Sequence, residues 1–191
     1  MITKAKLILK IVDIYGELNV LIRQAIEKDR QAQKMLYQKF SPKLLNVCRQ
    51  YVADIHKAED LLVTSFMKIF TNLDKFENKG QFEAWIRRIT VNECISHIRT
   101  SKKVHFVEEN EICTLTESAD GILLVDDIQA MIDRLPLGCK MVFNLFAIEG
   151  YKHHEIADML NINEGTSKSQ LAYARKLLQQ TLDSEKKVQH G

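Results

Sequence analysis

Apolar residues recur at intervals of three and four through residues 19–99 and again from residue 126. A helix of 3.6 residues per turn is the structure that gathers such residues on one side. Val20, Leu21, Ala25 and Ile26 make a first short stripe, and Ala32, Met35, Leu36 and Phe40 make the next. Ser41-Pro42 reads as an N-cap followed by proline at the first helical position, where a missing N–H costs nothing. Leu44, Leu45, Cys48, Tyr51 and Val52 continue that new helix. The strongest repeat, over residues 58–73, carries Leu61, Leu62, Phe66, Ile69, Phe70 and Leu73. A polar turn at 74–80 separates it from a last helix with Phe82, Trp85, Ile86, Ile89, Ile95 and Ile98. Only 7 Gly and 2 Pro interrupt 191 residues, which favours long helices and argues against a many-turned β-sandwich.

Between residues 101 and 125 the period fails. That stretch has a net charge of −3, ends near Gly121 and reads as a linker, with a short β or helical piece near 122–125. The helical code then returns: Ile128, Met131, Ile132 and Leu135 before Pro136, and Val142, Phe143, Leu145 and Phe146 before Gly150. Two further helices are expected at 153–160 and 164–182. The expected fold is all-α. Two small helical domains, 18–100 and 126–184, are joined by a flexible acidic linker at 101–125, with an N-terminal extension at 1–17 and a tail at 185–191.

Several function classes are poorly supported. No apolar run approaches the roughly 20 residues needed to cross a bilayer, so no membrane insertion is expected. The opening residues lack the apolar core and cleavage site of a signal peptide, which points to the cytoplasm. Cys48, Cys94, Cys113 and Cys139 are scattered without a CxxC pair and read as reduced thiols. His153-His154 have no cysteine at ligand spacing, so no metal is expected, and no cofactor. No glycine-rich phosphate loop or catalytic arrangement is visible, so catalytic residues are not assigned and the chain is not read as an enzyme.

The sharpest feature is EIADMLNINEGTSKSQLAYARKLL. Ile156, Ala157 and Leu160 face Leu171, Ala174 and Leu178 across a turn plugged by Ile162. Small Ala157 lets the helices cross closely, as in a helix-turn-helix. On a wheel of 100° per residue, Thr166, Ser169, Tyr173 and Lys176 lie opposite Leu171, on the expected outward face. Together with Lys168, Gln170 and Arg175, they suit phosphate and base-edge contacts in a major groove. An ordinary helical hairpin with a solvated face has the same pattern. The second constellation is DKFENKGQFEAWIRRITVNECISHIR, where Lys75, Lys79, Arg87, Arg88 and Arg99 interleave with Phe76, Phe82 and Trp85. Arg88, Asn92 and Arg99 fall within about 40° of one another, with Ile95 in the same sector. Cations hold phosphates while aromatics stack on unpaired bases. Phe82 and Trp85 lie on the apolar stripe and read as core, which leaves Phe76, in the turn, as the better candidate to meet a base.

With these motifs in hand, the chain resembles the extracytoplasmic-function sigma factors, the minimal two-domain branch of bacterial transcription initiation factors. AEDLLVTSFMKIFTNLDKFENKGQFEAWIRRITVNECISHIR is similar to the second conserved sigma region, and RLPLGCKMVFNLFAIEGYKHHEIADMLNINEGTSKSQLAYARKLL to the fourth. The resemblance implies that the helix running from Ala58 to Phe70 docks on the clamp helices of core RNA polymerase, with Glu59, Asp60, Thr64 and Lys68 as contacts. It implies that Lys75, Phe76, Asn78, Lys79, Arg88, Asn92 and Arg99 open and read the promoter −10 element. It implies that Thr166, Lys168, Ser169, Gln170, Tyr173, Arg175 and Lys176 read the −35 element. Promoter DNA and core polymerase are thus the implied partners, and an anti-sigma protein is a common regulator in the family. Three positions depart from the family pattern: Val63-Thr64 stand where Gln-Glu is usual, Ser167 replaces a core hydrophobic residue, and Lys152 replaces a capping serine.

Charge bears on the choice among functions. Residues 18–100 carry +5, but the whole chain only +2, too little for a protein that holds DNA unaided. A stand-alone dimeric helix-turn-helix regulator would need a further dimerisation or sensing domain, and none is visible. A helical adaptor without DNA contacts is the other alternative. The expected function is promoter recognition as a sigma subunit, aiding DNA melting at initiation.

Overall fold

Every element of the computed structural model is helical: residues 16–77, 81–101 and 125–189 are described, and no strand occurs among them. In chain order these are α1 (residues 16–26), α2 (Arg30–Tyr51), α3 (Ile55–Thr71), a 3-10 turn (Leu73–Lys75), α4 (Phe82–Ser101), α5 (Val125–Asp133), α6 (Leu137–Phe143) with a π turn (Asn144–Ile148), α7 (His153–Leu160) and α8 (Glu164–Gln189). Two units separate, with dividing points at Arg49/Gln50, Ala53/Asp54 and Glu93/Cys94. The expected linker lies outside the described residues, except at Ser101 and Val125.

In the first unit the apolar stripes decide helix extent as well as packing. Ala32, Leu36, Phe40, Leu44, Val47 and Cys48 are all buried and follow one another at helical steps straight through Pro42. Pro42 therefore lies inside α2 rather than opening a separate helix, a correction to the sequence reading. The bond it removes is to the carbonyl of Gln38, and both residues are on the exposed side, where water can serve that oxygen. The inward stripe is also rotated from the one expected: Val20, Ile26 and Met35 are exposed, while Ile22 and Ala25 are buried.

Rings fasten α2 to its neighbours. Tyr37 lies 4.6 Å from Phe66 of α3, and Phe40 meets Phe82 of α4 edge-on at 5.4 Å. Each of the buried rings Phe40, Phe66 and Phe82 contributes about 1.5–3 kcal/mol, which outweighs the ion pairs Lys43–Glu83 and Lys68–Glu93 that also span these helices. Within α4, buried Thr90 meets its need for a partner by donating to the Ile86 carbonyl at 3.0 Å.

Asp54 starts α3. Its Oδ1 accepts from the N–H groups of His56 (3.0 Å) and Lys57 (3.3 Å), two donors that the helix itself leaves unpaired. The Lys57 backbone bond above all, then that of His56 and the Lys57 charge, hold the Asp54 carboxyl below its ordinary range.

In the second unit α8 packs chiefly on α6 and α7. Ile132, Leu135 and Cys139 close a core with Ala174 and Leu177, flanked by Phe143, Tyr173 and Leu178. Ile128, expected in the α5 stripe, is exposed instead. The buried Lys140 ammonium is held by Asp133 at 2.5 Å, so its charge is not left alone in the interior. Cys48, Cys94 and Cys139 are buried thiols, and Cys113 lies outside the described residues. The helix α8 continues to Gln189, beyond the expected end at residue 182, because no glycine or proline intervenes before Gly191.

Two outcomes test this account. Pro42→Ala restores one intrahelical hydrogen bond and should raise stability by about 1–3 kcal/mol, seen as a higher urea midpoint; a lower midpoint would mean that proline opens a helix of its own. The lowered carboxyl of Asp54 stabilises the fold above the ordinary carboxylate pKa, about pH 4, and this contribution fades as pH falls through the folded value. The gap in Tm between wild type and Asp54→Ala should accordingly be widest near neutrality and shrink on acidification, and a gap independent of pH would contradict the capping role.

Candidate nucleic-acid interface

The turn after α7 is built by a left-handed residue. Asn161 has φ of 55° and ψ of 51°, and its N–H closes on the Ala157 carbonyl, which ends the helix after Leu160. The Ile162 N–H also reaches the Ala157 carbonyl, at 3.0 Å, and the Ser167 N–H bonds the Asn163 carbonyl at 3.1 Å to open α8. Asparagine suits this geometry because it tolerates the left-handed region better than most side chains. At the other end of α7, Lys152 supplies no side-chain cap, but Glu155 reaches back to accept from the Lys152 N–H at 2.8 Å. Half of a capping box thus survives the missing serine.

The roll of α8 differs from that expected. Ser167, Leu171, Ala174 and Leu177 are the buried residues, so the buried arc is centred about 60° from Leu171 toward Ala174. The exposed sector holds Lys168, Ala172, Arg175, Lys176 and Gln179. Tyr173 is turned inward and packs against the core of this unit, a correction to its outward placement. Gln170 is half-buried and accepts from the Cys139 thiol at 2.8 Å. Thr166 and Ser169 are half-buried at the edge, with Ser169 Oγ donating to the Thr166 carbonyl at 3.1 Å. Of the expected duplex-reading residues, Lys168, Arg175 and Lys176 face solvent. Lys168 bonds Glu164 one turn earlier at 2.7 Å, and chiefly this bond holds the Glu164 carboxyl below its ordinary range.

Two residues behind this surface gave no sequence signal of a role. Phe146, in the π turn, stacks on His153 with ring centroids 4.6 Å apart and 24° between planes, and the Arg175 guanidinium lies over the same Phe146 ring at 5.7 Å.

In the first unit, Phe76 is not a free-standing ring. It contacts Phe82 at 5.2 Å and Trp85 at 5.4 Å, so the turn residue is fastened to the first turn of α4. Lys75 is exposed and donates to Asn72 Oδ1 at 2.8 Å. Asn78 and Lys79 lie outside the described residues. Arg88 and Asn92 are exposed on α4; Arg99, beyond the Glu93/Cys94 division, is exposed and donates to the Met159 carbonyl at 3.4 Å, and Ile95, expected in the same sector, is buried.

The exposed side of α3 carries Glu59, Asp60, Thr64 and Lys68. Glu59 sits 3.6 Å from His56, Thr64 Oγ1 donates back to the Asp60 carbonyl at 2.9 Å, and Lys68 is committed to Glu93 of α4. Val63 (52% exposed) and Met67 (67%) stand among them, so this surface is part apolar. Among the described residues no group of three or more His, Cys, Asp or Glu side chains could hold a metal, and no helix is long and apolar enough to cross a membrane.

Residues 36–104 match Sigma-70 region 2, and residues 126–178 match Sigma-70, region 4. The chain is 28% identical over 176 residues to the ECF RNA polymerase sigma factor SigW of Bacillus subtilis, covering 84% of this chain and 94% of the relative. It is 25% identical over 177 residues to the RNA polymerase sigma-H factor of Pseudomonas aeruginosa, covering 85% and 92%. Among solved structures, the sigma factor RpoE, in complex with the anti-sigma factor NepR from Bartonella quintana, is similar with a TM-score of 0.51 and 25% identity, over 78% of this chain and 96% of that one. CnrH, solved with the cytosolic domain of CnrY, shares the fold at a TM-score of 0.50 and 21% identity, over 86% and 96%. With both sigma regions matched in order across more than half of its length, the chain belongs to the sigma-70 family of RNA polymerase sigma factors, in the extracytoplasmic-function branch.

Proposed function

We propose a division of labour along the chain in which residues 18–100 bind core RNA polymerase and the −10 element while residues 126–184 read the −35 duplex. The observation that carries this reading is the α8 surface: Lys168, Arg175 and Lys176 share the exposed sector of the second helix of a helix-turn-helix. Cations so placed can meet phosphates and guanine edges in a major groove. The α3 surface with Glu59, Asp60, Thr64 and Lys68 docks on the polymerase, with the exposed side chains of Val63 and Met67 adding apolar contact.

Melting belongs to the α3–α4 turn and the start of α4. Lys75, Asn78, Lys79 and Arg88 hold the strand, Phe76 offers its open edge to an unpaired base while Phe82 and Trp85 brace it, and Asn92 and Arg99 extend the track along α4. The acidic segment at 101–125 connects the two domains. Each site alone is weak, as a net charge of +2 suggests, and both act together because the polymerase holds them at high effective concentration. The protein supplies recognition rather than catalysis, works in the cytoplasm with the polymerase, and is held in reserve by an anti-sigma protein that covers these surfaces.

Run-off transcription with purified core polymerase over a genomic promoter library is the decisive measurement. The chain should start synthesis at a defined set of fragments, and absence of stimulated initiation anywhere would overturn the reading. On a selected fragment, changing Lys168, Arg175 and Lys176 together to Ala should weaken holoenzyme binding and reduce the slope of log K against log salt by about 2–3 units. Unchanged binding would favour an adaptor whose helix-turn-helix makes protein contacts only. The free protein should bind the same duplex weakly.

A further inference from the structure

Ser167 lies in the buried arc of α8 with 0% exposure, among Leu171, Ala174 and Leu177. A hydroxyl there needs a partner, and His153 Nδ1 supplies it at 2.9 Å from the first turn of α7. The imidazole is set by a second contact, its stacking on Phe146, and the ring of Phe146 also receives the Arg175 guanidinium. The contacts therefore form a closed path: Ser167 to His153 to Phe146 to Arg175. The path leaves α8 and returns to it two turns later, about 12 Å along its axis. Phe146 is presented by the π turn, a local widening of the helix that shifts its side chains from the α-helical register.

We propose that the His153–Ser167 hydrogen bond is a positioning device for duplex reading: it sets the roll of α8 against α7 and, through Phe146, the pose of Arg175 on the exposed surface. This deepens, and rests on, the −35 reading proposed above. An apolar residue at 167 would act on the rotation of α8 through shape alone, whereas a hydrogen bond is directional and adds a preference for one rotation. His153 and Ser167 are positioning residues; Arg175 is the side chain that meets DNA.

The chemistry predicts non-additive substitutions. Removing His153 leaves the buried Ser167 hydroxyl unpaired, and removing Ser167 takes the partner from the half-buried His153 Nδ1, whereas replacing both by apolar groups removes the penalty but also the directionality. The test uses the full chain assembled with core polymerase, on a duplex fragment selected by the wild-type holoenzyme, at a temperature well below every variant's Tm. Ser167→Val and His153→Phe should each weaken binding about tenfold, Ser167→Ala serving where valine prevents folding. The double variant should recover most of the lost Tm while duplex affinity remains several-fold below wild type. The 15N resonance of His153 Nδ1 should shift in Ser167→Ala, reporting loss of the bond in the folded protein. Single variants that lower Tm yet bind the duplex as wild type does would overturn the proposal and reduce the pair to a core contact. An unmoved His153 resonance would overturn it as well. If the wild-type holoenzyme binds no fragment, the promoter reading itself fails and carries this proposal with it, an outcome distinct from normal wild-type binding with indifferent variants.

Discussion

Helices as short as α7 are marginal in water by themselves, since closing the first turn fixes several residues for a single hydrogen bond. They persist here because their apolar stripes are buried against neighbours, and that burial sets more than stability. Once Ile156, Ala157 and Leu160 of α7 must share an interior with Leu171, Ala174 and Leu177 of α8, the rotation of each helix about its own axis is confined to a narrow range. Which residues remain outside follows from that rotation. The exposed cations of α8 are thus a product of core packing two residues away rather than a surface chosen independently.

Polar groups inside the molecule sharpen what apolar packing leaves loose. Lys140 held by Asp133, Cys139 donating to Gln170, Thr90 bonded to the Ile86 carbonyl and Ser167 meeting His153 each tie a buried donor or acceptor to one geometry. Unpaired, any of them would cost about 1–3 kcal/mol, so alternative packings that break the pairing are disfavoured even where their apolar contacts are as good. Three of the four lie within the unit that carries the helix-turn-helix, and two end on α8 itself.

Electrostatics plays a different part. Some of the cations that face outward are paired within the chain: Lys168 with Glu164, Lys68 with Glu93, Lys43 with Glu83. Pairs this exposed contribute little to stability, and their partners compete with phosphate for each cation. The half-apolar exposed side of α3, with Val63 and Met67, fits docking that rests on buried area more than on charge.

The amino-acid sequence alone determined that the chain is helical and that a helix-turn-helix closes its C-terminal half, because these depend on local spacing and on the scarcity of glycine and proline. It also marked Ser167 as a polar residue on the inner side of α8, and that placement holds. The tertiary structure alone decided the continuity of α2 through Pro42, the inward turn of Tyr173 and Gln170, the fastening of Phe76 to Phe82 and Trp85, and the pairing of Ser167 with His153. A helical wheel gives angles relative to an assumed inward direction, and that direction is the vector sum of every contact a helix makes with its neighbours. A local pattern cannot contain it, because the neighbours come from residues far along the chain.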